Sequence, residues 1–155
     1  MPAKKSSTPA IQVMILLVDD NANGLKARKM VLEELGYGIV TAANGRDALE
    51  RFAPSKFDLV VTDYKMPRMD GLELIVKLRE LEPELPIVLV SGFVDSMGLN
   101  EENTQADAVI QKSANEVSHL SRAVARLLRQ KSQRQKPARK PAGSTPPLKA
   151  KRKTV

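Results

Sequence analysis

Five short apolar runs, Met14–Val18, Gly38–Ala42, Leu59–Thr62, Ile87–Val90 and Ala108–Ile110, alternate with longer segments of helical period. This alternation constrains the fold more than any other feature of the chain. Three of the runs are almost continuously apolar, as expected of strands covered on both faces in a parallel sheet. Parallel neighbours need crossover connections, and the helical segments between the runs can supply them. The expectation is an α/β protein with a (βα)5 doubly wound parallel sheet. Right-handed crossovers leave few topologies, of which strand order 2-1-3-4-5 is the common one.

The helical segments read as follows. Leu25, Met30, Val31, Leu32 and Leu35 recur at helical spacing before Gly36, which supplies a stop. Asn44-Gly45 opens a second helix with Ala48, Leu49 and Phe52 inward, and Pro54 ends it. Gly71–Leu81 repeats the pattern through Leu72, Leu74, Ile75, Leu78 and Leu81, closing before Pro83. Asn115–Lys131 forms the last, with Val117, Leu120, Val124, Leu127 and Leu128 as its buried stripe. Between Val94 and Asp107, Gly98, Asn100, Asn103 and Thr104 interrupt any stripe, so a helix there should be short or frayed.

At 155 residues the chain fits a single core, because one domain commonly takes roughly 100–200 residues. Its net charge of +7 is unevenly placed. Residues 131–155 hold nine basic side chains and no acid, and the leader adds Lys4 and Lys5, so residues 12–130 are net acidic. The organisation expected is a disordered leader at 1–11, a folded domain at 12–131 and a basic, proline-containing disordered tail at 132–155. The tail divides evenly between a solubilising linker and an arm making non-specific phosphate contacts with nucleic acid or an anionic surface. Cysteine is absent, which rules out disulfides and Cys-ligated metals. The one histidine, His119, rules out a histidine-rich zinc site and reads as a surface residue. The longest apolar run, Val13–Val18, is far too short to span a bilayer, so a soluble, cytoplasmic protein without membrane insertion is expected. Few aromatic residues, and no Trp, disfavour a base-stacking surface.

In an open parallel sheet the ligand site lies at the carboxyl ends of the strands. Run one ends in Asp19-Asp20, run three in Asp63, run four in Ser91, and run five leads into Lys112. Three carboxylates converging on one edge repel one another unless a hard cation or a proton relieves them. Mg²⁺ suits two or three loop carboxylates with retained waters better than Ca²⁺ does, and the chain has no Asp-x-Asp-x-Asp-Gly run. Taken alone, Asp19-Asp20 would more commonly be a helix N-cap, Ser91-Gly92 a turn, and Lys112 a solvated lysine.

Over roughly Met14–Lys131 the sequence resembles the receiver domain of two-component response regulators, a flavodoxin-like fold. Asp19-Asp20 resembles that family's acidic pair. Asp63, within Val-Thr-Asp-Tyr-Lys-Met-Pro-Arg-Met-Asp-Gly at 61–71, resembles its phospho-accepting aspartate. Ser91 resembles its hydroxyl switch residue and Lys112 its lysine. The resemblance implies that Asp63 accepts a phosphoryl group from a sensor histidine kinase or histidine phosphotransfer protein. It implies Mg²⁺ held by Asp20, Asp63 and the backbone carbonyl of Lys65, with Asp19 acting through a water. Lys112 and Ser91 would each contact a phosphoryl oxygen, and movement of Ser91 would carry the signal to the surface. Such a protein is a switch, limited to self-directed phosphoryl transfer and slow autodephosphorylation.

Two positions depart from the family pattern. Ser113 and Ala114 follow Lys112 where proline and an aromatic are usual, so a reshaped loop without a cis-proline is expected. Val109 stands where an aromatic usually rotates, so any response has to travel elsewhere, through Ser91–Asp107. Two rival functions remain. One is a nucleic-acid or anionic-surface binder working through the tail. The other is a Mg²⁺-dependent phosphohydrolase with an aspartyl nucleophile, disfavoured because Lys65 stands where that chemistry needs a second acid.

Overall fold

The computed structural model describes residues 12–135. Its strands are β1 (Met14–Val18), β2 (Gly38–Ala42), β3 (Leu59–Asp63), β4 (Ile87–Ser91) and β5 (Ala108–Gln111). Its helices are α1 (Ala22–Glu34), α2 (Gly45–Arg51), α3 (Gly71–Leu81), α4 (Val94–Met97), α5 (Glu101–Thr104) and α6 (Glu116–Gln135). All strand pairings are parallel, in the order β2-β1-β3-β4-β5, as the sequence pattern predicts.

Because side chains alternate along a strand, each strand feeds two cores. Leu16, Val18, Val60, Ile87 and Leu89 pack with Ala48 of α2 and Leu74, Ile75 and Leu78 of α3. Ile15, Leu17, Leu59, Val61, Val88, Val90 and Ile110 pack on the opposite face with Leu32 of α1 and Leu120, Val124 and Leu127 of α6. The sheet is covered on both sides, which is why its strands read as continuous apolar runs.

The starts of α1, α2 and α3 carry side-chain caps. Asn21 accepts from the Gly24 N–H at the head of α1, and Asn44 from the Asp47 N–H at the head of α2. Asp70 and Glu73 form a reciprocal capping box on α3. The α1 cap matters for the site. It assigns capping to Asn21 and leaves Asp19 and Asp20 available for other work.

Three details correct the sequence expectations. In α1 only part of the apolar set faces the core: Leu32 is buried, whereas Met30 and Leu35 are exposed. Leu81 is likewise exposed. The last helix continues through Gln135, four residues past the expected domain limit at Lys131. Lys131 itself reaches back to Asp58, at 3.4 Å from Oδ1. The leader at 1–11 and tail residues 136–155 lie outside the described residues. The segment Val94–Asp107 forms two four-residue helices, α4 and α5, in line with its broken apolar pattern. No helix of the described residues is long and apolar enough to cross a membrane.

Candidate phosphoacceptor site

Strand register brings the selected residues to one edge. Asp63 is level with Val90, so Ser91 ends the adjacent strand one step further on, and Ser91 in turn is level with Gln111, which precedes Lys112. On the other side β1 leads straight into Asp19 and Asp20. One oxygen from each of Asp19, Asp20 and Asp63 lies within 4.8 Å of the others. Asp19 and Asp63 are buried, while Asp20 is exposed.

The two buried carboxylates differ in support. Asp63 Oδ1 accepts the Tyr64 N–H at 2.9 Å and lies 3.1 Å from Lys112 Nζ. Its Oδ2 carries no hydrogen bond among the described residues. Burial pushes the Asp63 carboxyl above the usual aspartate range, and the charge of Asp19 pushes it further; Lys112 and the Tyr64 N–H offset only part of this. Asp19 goes the other way. Burial would raise it, but the Asn21 N–H, the Arg28 guanidinium and Lys112 together hold it below the usual range.

Ser91 is fully buried, and its Oγ accepts the Phe93 N–H at 2.9 Å, so its own proton remains free to donate. No hydrogen bond joins Ser91 to Asp63 among the described residues. Lys65 stands two residues beyond Asp63, with its side chain turned out over the Phe93 ring at 5.7 Å from the centroid. Tyr64 meets Phe93 edge-on at 6.4 Å. Met66 is buried and Met69 packs on the core, so neither faces the site as a ligand. His119 is exposed. No cis peptide occurs among the described residues.

Close packing fixes the loop after Asp63. Gly71 N–H donates to the Tyr64 carbonyl at 2.7 Å, and a Cβ at Gly71 would collide with the Asp63 carbonyl oxygen. Gly92 has open space around its Cα, which leaves the approach to Ser91 clear.

One residue of the site escaped sequence inspection. Arg28 on α1 is buried, with its NH1 2.6 Å from Asp19 Oδ2 and its Nε 2.6 Å from Glu116 Oε2. The signal was present as a basic residue at the core-facing position between Leu25 and Leu32, at spacings of three and four.

Comparison with known proteins agrees with this geometry. The chain matches the response regulator receiver domain family over residues 15–125. It is 36% identical over 89 residues to the response regulator receiver protein CpdR of Brucella abortus, covering 57% of this chain and 73% of CpdR. It is 35% identical over 78 residues to the transcriptional regulatory protein GlrR of Escherichia coli, covering 50% of this chain but only 18% of GlrR. Among solved structures, the response regulator TrrA of Thermotoga maritima, in complex with Mg²⁺ and BeF, superposes with a TM-score of 0.68 at 34% identity, covering 75% of this chain and 99% of TrrA. A CheY-like receiver domain protein of Methanospirillum hungatei superposes with a TM-score of 0.67 at 31% identity, covering 79% of this chain and 98% of that one. The chain belongs to the response regulator receiver family.

Proposed function

We propose that this chain is a phosphorylation switch whose acceptor is Asp63 Oδ2. The observation that carries this reading is the asymmetry of Asp63 within its cluster with Asp19 and Asp20: Oδ1 is held by Tyr64 and Lys112, while Oδ2 carries no hydrogen bond among the described residues. Oδ2 attacks the phosphorus of a phosphohistidine on a histidine kinase or phosphotransfer protein. The O–P bond forms as the P–N bond breaks, and the imidazole leaves and takes up a proton. Lys112, already beside Oδ1, is placed to neutralise one transferred oxygen, and the Ser91 hydroxyl is free to donate to another.

The acidic edge fits a hard divalent cation. Three carboxylates within 4.8 Å, two of them buried, gather negative charge that Lys112 and Arg28 balance only in part. Asp20, Asp63 and the Lys65 carbonyl would hold Mg²⁺, with Asp19 acting through a water. When bound, the cation supplies charge neutralisation for the phosphoryl oxygens. Support for a divalent cation at this edge comes from TrrA, a relative solved in complex with Mg²⁺ and BeF. On this reading the activity is self-directed phosphoryl transfer to Asp63 followed by slow autodephosphorylation.

Incubation of the chain with Mg²⁺ and acetyl phosphate, followed by intact mass measurement, is expected to show one added phosphoryl group, absent in Asp63→Asn. An unmodified wild type, or an unchanged adduct in Asp63→Asn, would overturn the assignment.

A further inference from the structure

Arg28 sits at the junction of three parts of the molecule. Its guanidinium forks between Asp19, at the end of β1, and Glu116, the first residue of α6, with 2.6 Å contacts to each. It is 4% exposed, so these are ion pairs largely out of water, where both charges hold each other firmly. Glu116 follows Lys112 by only four positions, across the loop of Ser113, Ala114 and Asn115. Both oxygens of Asp19 are engaged in this arrangement. Its Oδ1 accepts the Asn21 N–H at 2.9 Å and its Oδ2 is taken by Arg28. Gly24 keeps this contact possible, since a Cβ there would stand 2.9 Å from Asp19 Oδ2.

A cation entering the acidic edge therefore meets an Asp19 whose charge is already neutralised from the other side. Glu116 acts on the same guanidinium in the opposite sense, because it draws Arg28 away from Asp19. We propose that Arg28 is an internal counter-cation that competes with the divalent ion for Asp19, and that Glu116 sets the strength of that competition. Arg28 is thus a positioning residue that lowers cation affinity, a conclusion that rests on the Mg²⁺ site proposed above.

The pair of substitutions at the two ends of the fork makes the test specific. Replacing both residues, Arg28→Met with Glu116→Leu, removes the competing charge and leaves no half-buried Glu116 unpaired. Replacing Glu116→Gln alone keeps Arg28 in place and removes the negative charge that competes with Asp19 for it. Mg²⁺ titrated into the full-length chain by isothermal calorimetry should bind the double variant about tenfold more tightly than wild type, the size typical of changes to groups that support metal ligands. Glu116→Gln should bind more weakly than wild type. A purely structural role would shift both in one direction or neither. Affinities equal to wild type, or moving together, would overturn the proposal while leaving the Mg²⁺ site intact. Binding seen only in the double variant would support it. Absence of binding in every variant would overturn the Mg²⁺ site and the proposal with it. If the double variant fails to fold, Glu116→Gln alone decides, with an unchanged affinity counting against the proposal.

Discussion

Asp63 carries a charge that its surroundings resist, since burial and the neighbouring Asp19 raise its proton affinity above that of a free aspartate. Between the ordinary value of 3.8 and the raised one, the folded state keeps a proton that the unfolded state has lost, so stability falls with rising pH in that window. Below it the cost vanishes, and above it the cost is complete. Asp63→Asn removes this cost. Without divalent cation it should be the more stable protein at neutral pH, by on the order of 1 kcal/mol, with the gap closing on acidification; denaturant unfolding of both proteins at neutral and acid pH measures this. Gly71→Ala should act in the reverse sense, because its Cβ meets the backbone of Asp63 with nowhere to shift. It should lower the melting temperature and slow phosphorylation by acetyl phosphate. The acidic residues and Lys112 were legible in the sequence because each lies at or just past the carboxyl end of a strand. Arg28 was not, since a charged residue within an amphipathic pattern is ordinarily assigned to the wet face.

Arg79 shows the same blind spot for an element. From the last turn of α3 it donates to the carbonyls of Pro83, Leu85 and Gln105 and to Asp107 Oδ2, the latter at 2.8 Å. Asp107 also accepts the Ile87 N–H at the start of β4. One side chain thus joins α3, β4 and the turn before β5, and no local pattern announces it. Arg79→Met keeps the apolar stem and loses the fork; chemical denaturation should show a cost of about 2 kcal/mol, the scale of hydrogen bonds to charged groups. The pair α4 and α5 is weaker still. Each is four residues long, only Thr104 of their side chains is buried, and Gly98 and Gln105 end them in left-handed conformation. Gln111 holds α4 by accepting the Asp95 N–H and donating to the Gly92 carbonyl. Amide exchange with and without a phosphoryl mimic at Asp63 should change most between Ser91 and Asp107; a change confined to α6 would count against that route. The poor helicity of this segment was legible from its missing apolar stripe. The extension of α6 to Gln135 was not, because the basic composition beyond Lys131 masked residues that still suit a helix.

At the scale of the molecule, charge and fold separate. All 18 acidic residues and 18 of the 25 basic ones lie within residues 1–135, which are therefore neutral on balance, and the whole +7 resides in 136–155. The reach of α6 past Lys131 was the least legible feature, since the basic segment there holds no apolar signal from which a helix could be read. The sheet order was the most legible, because burial on both faces leaves a pattern that few other topologies share. A chain ending at Gln135 should keep its melting temperature, as residues 136–155 carry no apolar stripe of helical or strand spacing. It should lose retention on a cation exchanger, where the full chain is held with steep dependence on salt. A large loss of stability would show that residues 136–155 pack on the fold.

The edge contact between Tyr64 and Phe93 gives the chain its own optical probe. There is no Trp, and of the two Tyr residues only Tyr64 adjoins Asp63, while Tyr37 packs in the opposite layer and serves as a constant background. Phe93 is tied through its N–H to Ser91 Oγ, so on the proposed reading a shift of Ser91 toward a phosphoryl group would move the ring against which the Tyr64 phenol rests. Occupancy of the site can then be followed in the unlabelled protein, in real time, by tyrosine emission that disappears as a signal in Tyr64→Phe.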